Sequence, residues 1–114
     1  MTPEAFDKAC LALPGATLSI QWGDNHVFKV GDKMFAVRGA AGDSFSFKAS
    51  DVAFEVLTES GRAQPAPYLA RAKWVWFADM VTEDDAEVAD WLATAHALVA
   101  AKLTRKIRAA LEIS

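Results

Sequence analysis

Between Leu18 and Lys48 the apolar residues recur at every second position, where the preceding segment has them three or four apart, so no single helix can carry this stretch. Leu18, Ile20 and Trp22 alternate with Ser19 and Gln21, which predicts a half-buried strand ending in a turn at Gly23-Asp24-Asn25. Val27–Val30, the pair Gly31-Asp32 and Lys33–Arg38 predict a β-hairpin around a two-residue turn with glycine first. In such a hairpin partner numbers sum to 63, so Val30 should face Lys33 and Phe28 should face Phe35. After a turn over Gly39–Asp43, Ser44–Lys48 alternates again and completes a four-stranded meander.

Helical spacing flanks the meander on both sides. Thr2-Pro3-Glu4 supplies a cap hydroxyl, a proline where no N–H is needed and an acid for the first turn, and Phe6, Ala9, Cys10 and Leu13 then share one face up to Pro14-Gly15. Ser50-Asp51 opens a second helix, expected to carry Val52, Ala53, Val56 and Leu57 on its packed side and to end at Gly61. Arg62–Ala72 holds Pro65 and Pro67 and reads as an ordered surface loop, unable to be a central strand. Lys73–Phe77 is a fifth strand. Thr82, with Asp85 three residues on, should open a long helix with the stripe Val88, Trp91, Leu92, Ala95, Leu98 and Val99. Continuing it would bring Lys102 and Lys106 into that stripe, so a break is expected near Ala101. Thr104 then caps a last helix lined by Leu103, Ile107 and Leu111. The expected architecture is one α+β domain over residues 1–114, an antiparallel sheet of about five strands in the order α-β-β-β-β-α-β-α-α.

Composition narrows the function classes. Apolar residues make up 53% and charged residues 24%, the proportions of a folded globular chain. Apolar runs such as Trp74–Ala78 fall far short of the roughly 20 residues a membrane span needs, and the start has no signal-peptide pattern, so no membrane partner and a cytoplasmic location are expected. A single cysteine, Cys10, excludes an internal disulfide and a thiolate metal cluster. The net charge of −3 gives a polyanion partner no overall support, yet the charge is segregated: residues 26–76 carry +2, residues 79–95 carry −6 and residues 96–114 carry +3.

No catalytic, metal or cofactor constellation emerges. His26 and His96 stand 70 residues apart without a carboxylate at ligand spacing, and Cys10 lies on the packed side of its helix. His96 reads as a structural histidine at the edge of the long stripe, His26 as a solvated turn residue. Gly39-Ala40-Ala41-Gly42 joins two strands and so lacks the helix end of a phosphate loop, and Glu83-Asp84-Asp85 with Glu87 suits the positive end of a helix. Two places remain. Tyr68, Arg71, Lys73, Trp74 and Trp76 interleave cations with flat rings as single-strand binding surfaces do, and Lys29, Lys33, Arg38 and Lys48 fall on or beside the strands of the meander.

The order Trp22-Gly23, Val27–Ala36, Ser46-Phe47-Lys48, Ala66-Pro67-Tyr68-Leu69 and Lys73-Trp74-Val75 resembles the MmcQ/YjbR family of small bacterial proteins, over about Phe6 to Val99. The resemblance implies an α+β fold similar to the frataxin/CyaY arrangement and DNA binding through a double wing of hairpins. Lys33, Lys48, Lys73 and Trp74 match motif positions; Ala49-Ser50-Asp51, Ala70-Arg71-Ala72 and Ala95-His96 depart from the family's usual residues. The expected function is non-enzymatic DNA binding by a monomer, with Lys33, Lys48 and Lys73 along phosphates, Trp74 or Tyr68 stacking, and Lys29 and Arg71 in the same nucleic-acid-binding surface. The alternative is a small-molecule or protein-binding domain with an apolar pocket lined by Trp22, Tyr68 and Trp74.

Overall fold

The computed structural model describes residues 1–40, 42–67 and 69–113. Helix α1 (Pro3–Leu11) leads into strands β1 (Ala16–Gln21), β2 (Asn25–Val30), β3 (Lys33–Arg38) and β4 (Phe45–Lys48), followed by α2 (Asp51–Glu59), β5 (Gln64–Pro65), β6 (Trp74–Phe77), α3 (Asp85–Ala100) and α4 (Arg105–Ala110). The strands form one antiparallel sheet in the order β1-β2-β3-β4-β6-β5. The sixth strand, beyond the five expected, is the two-residue β5. It pairs at the sheet edge, where a proline without an N–H is tolerated.

Capping follows the sequence closely. The hydroxyls of Thr2, Ser50 and Thr104 accept from the N–H of Ala5, Ala53 and Ile107, and α3 gives way to α4 across Ala101–Thr104. The start of α3 differs from expectation. Thr82 closes a short 3₁₀ turn, and the Asp84 carboxylate caps α3 by accepting from Glu87 N–H, because a charged acceptor suits the positive helix end.

The hairpin register also departs from expectation, with consequences for both faces of the sheet. Val30 faces Lys33 and Lys29 faces Met34, but the register then shifts by one, so Phe28 faces Ala36 and not Phe35. The extra residue in β3 is a bulge that lets Phe35 and Ala36 both bury themselves fully on the helix side. Beyond it, Val37 faces outward with Val27, and Arg38 joins His26 on the helix side.

Helices α1 and α3 cover one face of the sheet. There Phe45 and Phe77 stack at 4.8 Å, Phe77 and Trp91 lie 5.0 Å apart, and Phe6 meets Phe45 edge-on at 5.5 Å. His96 is buried as a structural residue: its Nε2–H donates to the Pro14 carbonyl at 2.7 Å and its ring stands edge-on to Phe35. Helix α2 turns differently from expectation. It packs Leu57, Ala53 and Phe54 inward and leaves Val52 73% exposed, with Val56 also in solvent, because its partners β5 and β6 lie to one side of it. Strand β1 is a second departure: as the outer strand it keeps Leu18 and Ile20 exposed on the helix side, since α1 covers only part of its length.

Candidate functional site

The opposite, outer face of the sheet carries no helix of the α1–α3 layer. Cross-strand pairs share a face, so Lys29 and Met34, Val27 and Val37, and Lys48 and Trp74 all project outward. Ala66-Pro67 and Leu69–Ala72 form a partial roof at this face. Ala66 N–H donates to the Trp74 carbonyl at 3.0 Å, Trp74 N–H to the Leu69 carbonyl at 3.2 Å, and the Lys48 ammonium to the Ala72 carbonyl. Trp74, Val27 and Ala66 are buried outside the main core cluster.

Beside this roof a groove of about 520 Å³ opens, lined by Trp22, Met34, Pro67 and Leu69. Its size is that of an ordinary small-ligand cleft. Trp22 sits in a turn whose residues Trp22, Gly23 and Asp24 all have positive φ, at 52°, 73° and 75°. A bulky residue pays in backbone strain for the left-handed region, and here the ring stays 62% exposed. The β3 bulge is what lets β3 bury two successive residues on the helix side and still aim Met34 into the groove.

The candidate residues sort into distinct places. Antiparallel pairing puts the end of β2, the start of β3, the end of β4 and the start of β6 at one end of the sheet, so Lys29, Lys33, Lys48 and Lys73 gather there. Lys29 flanks Met34 on the outer face, whereas Lys33, paired with Val30, lies toward the helix side. Burial pushes the Lys48 ammonium below its ordinary pKa, as do the nearby charges of Lys102 and Lys73, while Asp51 opposes the shift. Lys102, at the end of α3, is thus a member of the cluster that sequence spacing missed; proximity across 54 positions has no local signal. Lys73, in the left-handed region, holds its ammonium 5.0 Å from the Phe54 ring. Arg71 is exposed in the 3₁₀ turn Ala70–Ala72.

Two aromatic expectations change. Trp74 is only 4% exposed and so offers no free ring face for stacking or for lining the groove. Trp22 holds the exposed position instead. Tyr68 lies outside the described residues. Arg62, counted among the central cations, is drawn to the acidic end: its guanidinium donates to Glu83 at 2.9 Å and Glu87 at 2.6 Å.

His26 is no solvated turn residue. On the helix side the Asp7 carboxylate accepts from Arg38 Nε at 2.6 Å and Nη2 at 2.8 Å, and His26 Nδ1 lies 3.1 Å from both Asp7 and Arg38. The hydrogen bond to Asp7 raises the Arg38 pKa above its ordinary value. This half-buried cluster ties α1 to β2 and β3, and it exists because the bulge turns Arg38 inward. Burial, with the charge of Asp7, pushes the Cys10 thiol up and away from thiolate chemistry. Among the described residues no three His, Cys, Asp or Glu side chains gather as a metal site, and no helix is long and apolar enough to cross a membrane.

Fold and surface together define an α+β domain with helices layered on one side of an antiparallel sheet and a groove with neighbouring cations on the other. The chain belongs to the YjbR family, whose sequence profile matches residues 11–98. It is similar to the crystal structure of Deinococcus radiodurans protein DR2400, which carries the domain DUF419, with a TM-score of 0.86 and 24% identity over 99% of this chain and 89% of that one. No curated protein sequence matches it.

Proposed function

We propose that this protein is a non-enzymatic binding module for single-stranded DNA that works through the outer face of the sheet. The observation carrying the reading is Trp22, an exposed ring on a strained turn above an open groove whose other wall, Met34, is the cross-strand neighbour of Lys29. A base enters the groove against Trp22, and phosphates run toward Lys29, Lys33, Lys48 and Lys73 at the adjoining end of the sheet, with Arg71 at the rim. Cys10 and His96 are buried and His26 is held against Asp7 and Arg38 on the helix side, so none of the three is presented at the outer face.

With a net charge of −3, affinity should be weak, at about 10⁻⁴ to 10⁻⁶ M near physiological salt. Titrating an oligothymidine at several salt concentrations tests this. Joint replacement of the four lysines by Ala should flatten the slope of log K against log salt by about 0.7 per lysine in contact. Trp22→Ala should weaken binding with the slope kept. Absence of binding to single- and double-stranded DNA at low salt removes the reading.

A second reading rests on a different observation: among the described residues, those lining the groove are apolar. A small apolar molecule in that groove would bind with little dependence on salt, and this separates the two.

A further inference from the structure

The two edges of the sheet are built differently. Strand β5 is two residues long, ends in Pro65 and has α2 packed against it, all features that block further pairing. Strand β1 is neither short nor closed by proline, although α1 packs on part of its helix-side face. Its six residues, Ala16–Gln21, hold no charge and no proline, and its register against β2 is unbroken. Among the described residues, Thr17–Gln21 make no backbone hydrogen bond outside the ladder with β2. Leu18 is 38% and Ile20 52% exposed along this edge, and Leu11, at the end of the helix packed on β1, is exposed as well.

We propose that β1 is a docking edge for β1 of a second copy of this chain, joining two six-stranded sheets into one. Charge and alternation select this occupant. A two-fold contact brings two identical strands together, so any net charge on the strand would be doubled and would repel across the seam; from Ala9 to Gly23 the chain carries none. With antiparallel pairing centred on Ser19, Leu18 faces Ile20 of the second copy and Ile20 faces its Leu18, both on the helix side. Ser19 then faces Ser19, and Thr17 faces Gln21, on the outer side. Every apolar side chain meets an apolar one and every polar side chain a polar one, whereas a slip by one residue would mix the two sets. The two-fold axis runs perpendicular to the sheet, so both outer faces look the same way. The contact is independent of what the groove binds, and it replaces the single-copy state expected from the sequence.

Sedimentation over a range of concentrations up to millimolar tests it, beside Ile20→Lys and a control, Val52→Lys, on α2. The wild-type chain and the control should approach twice the chain mass, and Ile20→Lys should stay at the chain mass with an unchanged far-ultraviolet circular dichroism spectrum. Hydrogen exchange of the wild-type chain needs no variant: alternate amides over Thr17–Gln21 should slow as concentration rises. A wild-type chain at single-copy mass throughout with concentration-independent exchange would overturn the proposal and leave β1 for a strand of another protein. An Ile20→Lys chain that still doubles its mass would overturn it too.

Discussion

On the helix side of the sheet Phe6, Phe28, Phe45, Phe47 and Phe77 are withdrawn from water almost completely, while on the outer side Trp22 keeps 62% of its surface exposed and Met34 is only half-buried. Both faces are built from the same strands with the same alternation. The difference lies in what covers them: two helices on one side, and on the other a proline-bearing stretch that hydrogen-bonds to the Trp74 backbone and lines an open groove with Trp22. Rings on the covered face contribute stability through burial and stacking, and those left uncovered are free for a ligand. Mutations on the two faces should therefore separate folding from binding.

The largest effect belongs to the covered face. Phe77→Ala, which removes a fully buried ring from the stack with Phe45 and Trp91, should cost about 3 to 5 kcal/mol in denaturant unfolding. A loss below about 1 kcal/mol would mean that this layer is not the core. Arg38→Met comes next, at about 1.5 to 3 kcal/mol, because Asp7 loses its two charged hydrogen bonds. The raised Arg38 pKa makes this contribution fully present below the ordinary arginine value and lost only as pH rises through the still higher folded value. The loss should therefore stay constant from neutral to mildly alkaline pH.

The outer face should behave in the opposite way. Trp22→Gly should remove about 1 to 3 kcal/mol of DNA binding. The same change should leave the fold intact or up to about 1 kcal/mol more stable, since glycine adopts φ of 52° without strain. Lys48→Gln sharpens the contrast through pH. The Lys48 pKa is depressed in the folded state, so the unfolded chain still holds a proton that the folded chain has released; wild type should gain stability relative to the variant as pH rises through the window just below the ordinary lysine value. Smallest of all, Val52→Ser should stay within about 0.5 kcal/mol, because that side chain is already 73% exposed.

Local chemistry was the legible part of the sequence. Cap hydroxyls at Thr2, Ser50 and Thr104, the Gly31-Asp32 turn and the break after Ala100 each follow from residues within a turn of one another. What escaped depends on distant partners. Thr82-x-x-Asp85 has the spacing of a helix start, but Thr82 is taken up in the preceding 3₁₀ turn and the Asp84 carboxylate caps α3. Alternation places Phe28 opposite Phe35, and only the pull of two buried side chains toward α3 inserts the bulge. Val52 and Val56 match an apolar face as well as Ala53 and Leu57 do, and the position of β5 and β6 settles which faces inward. The Asp7–Arg38 pair spans 31 positions, and the groove spans Trp22 to Leu69, so neither leaves a local pattern. Trp74 and Trp22 are both strand-end tryptophans in the sequence; Trp74 sits in β6 and is buried, while Trp22 sits in a left-handed turn and is exposed.

The division between the faces is tested most directly by following backbone amide resonances while single-stranded DNA is added at low salt. The account predicts that shifts concentrate on Trp22, Lys29, Met34 and Leu69, spreading to Lys48 and Arg71, with Phe6, Phe77 and Leu92 unmoved. Shifts centred on α1 and α3, or none near Trp22 while binding occurs, would contradict it.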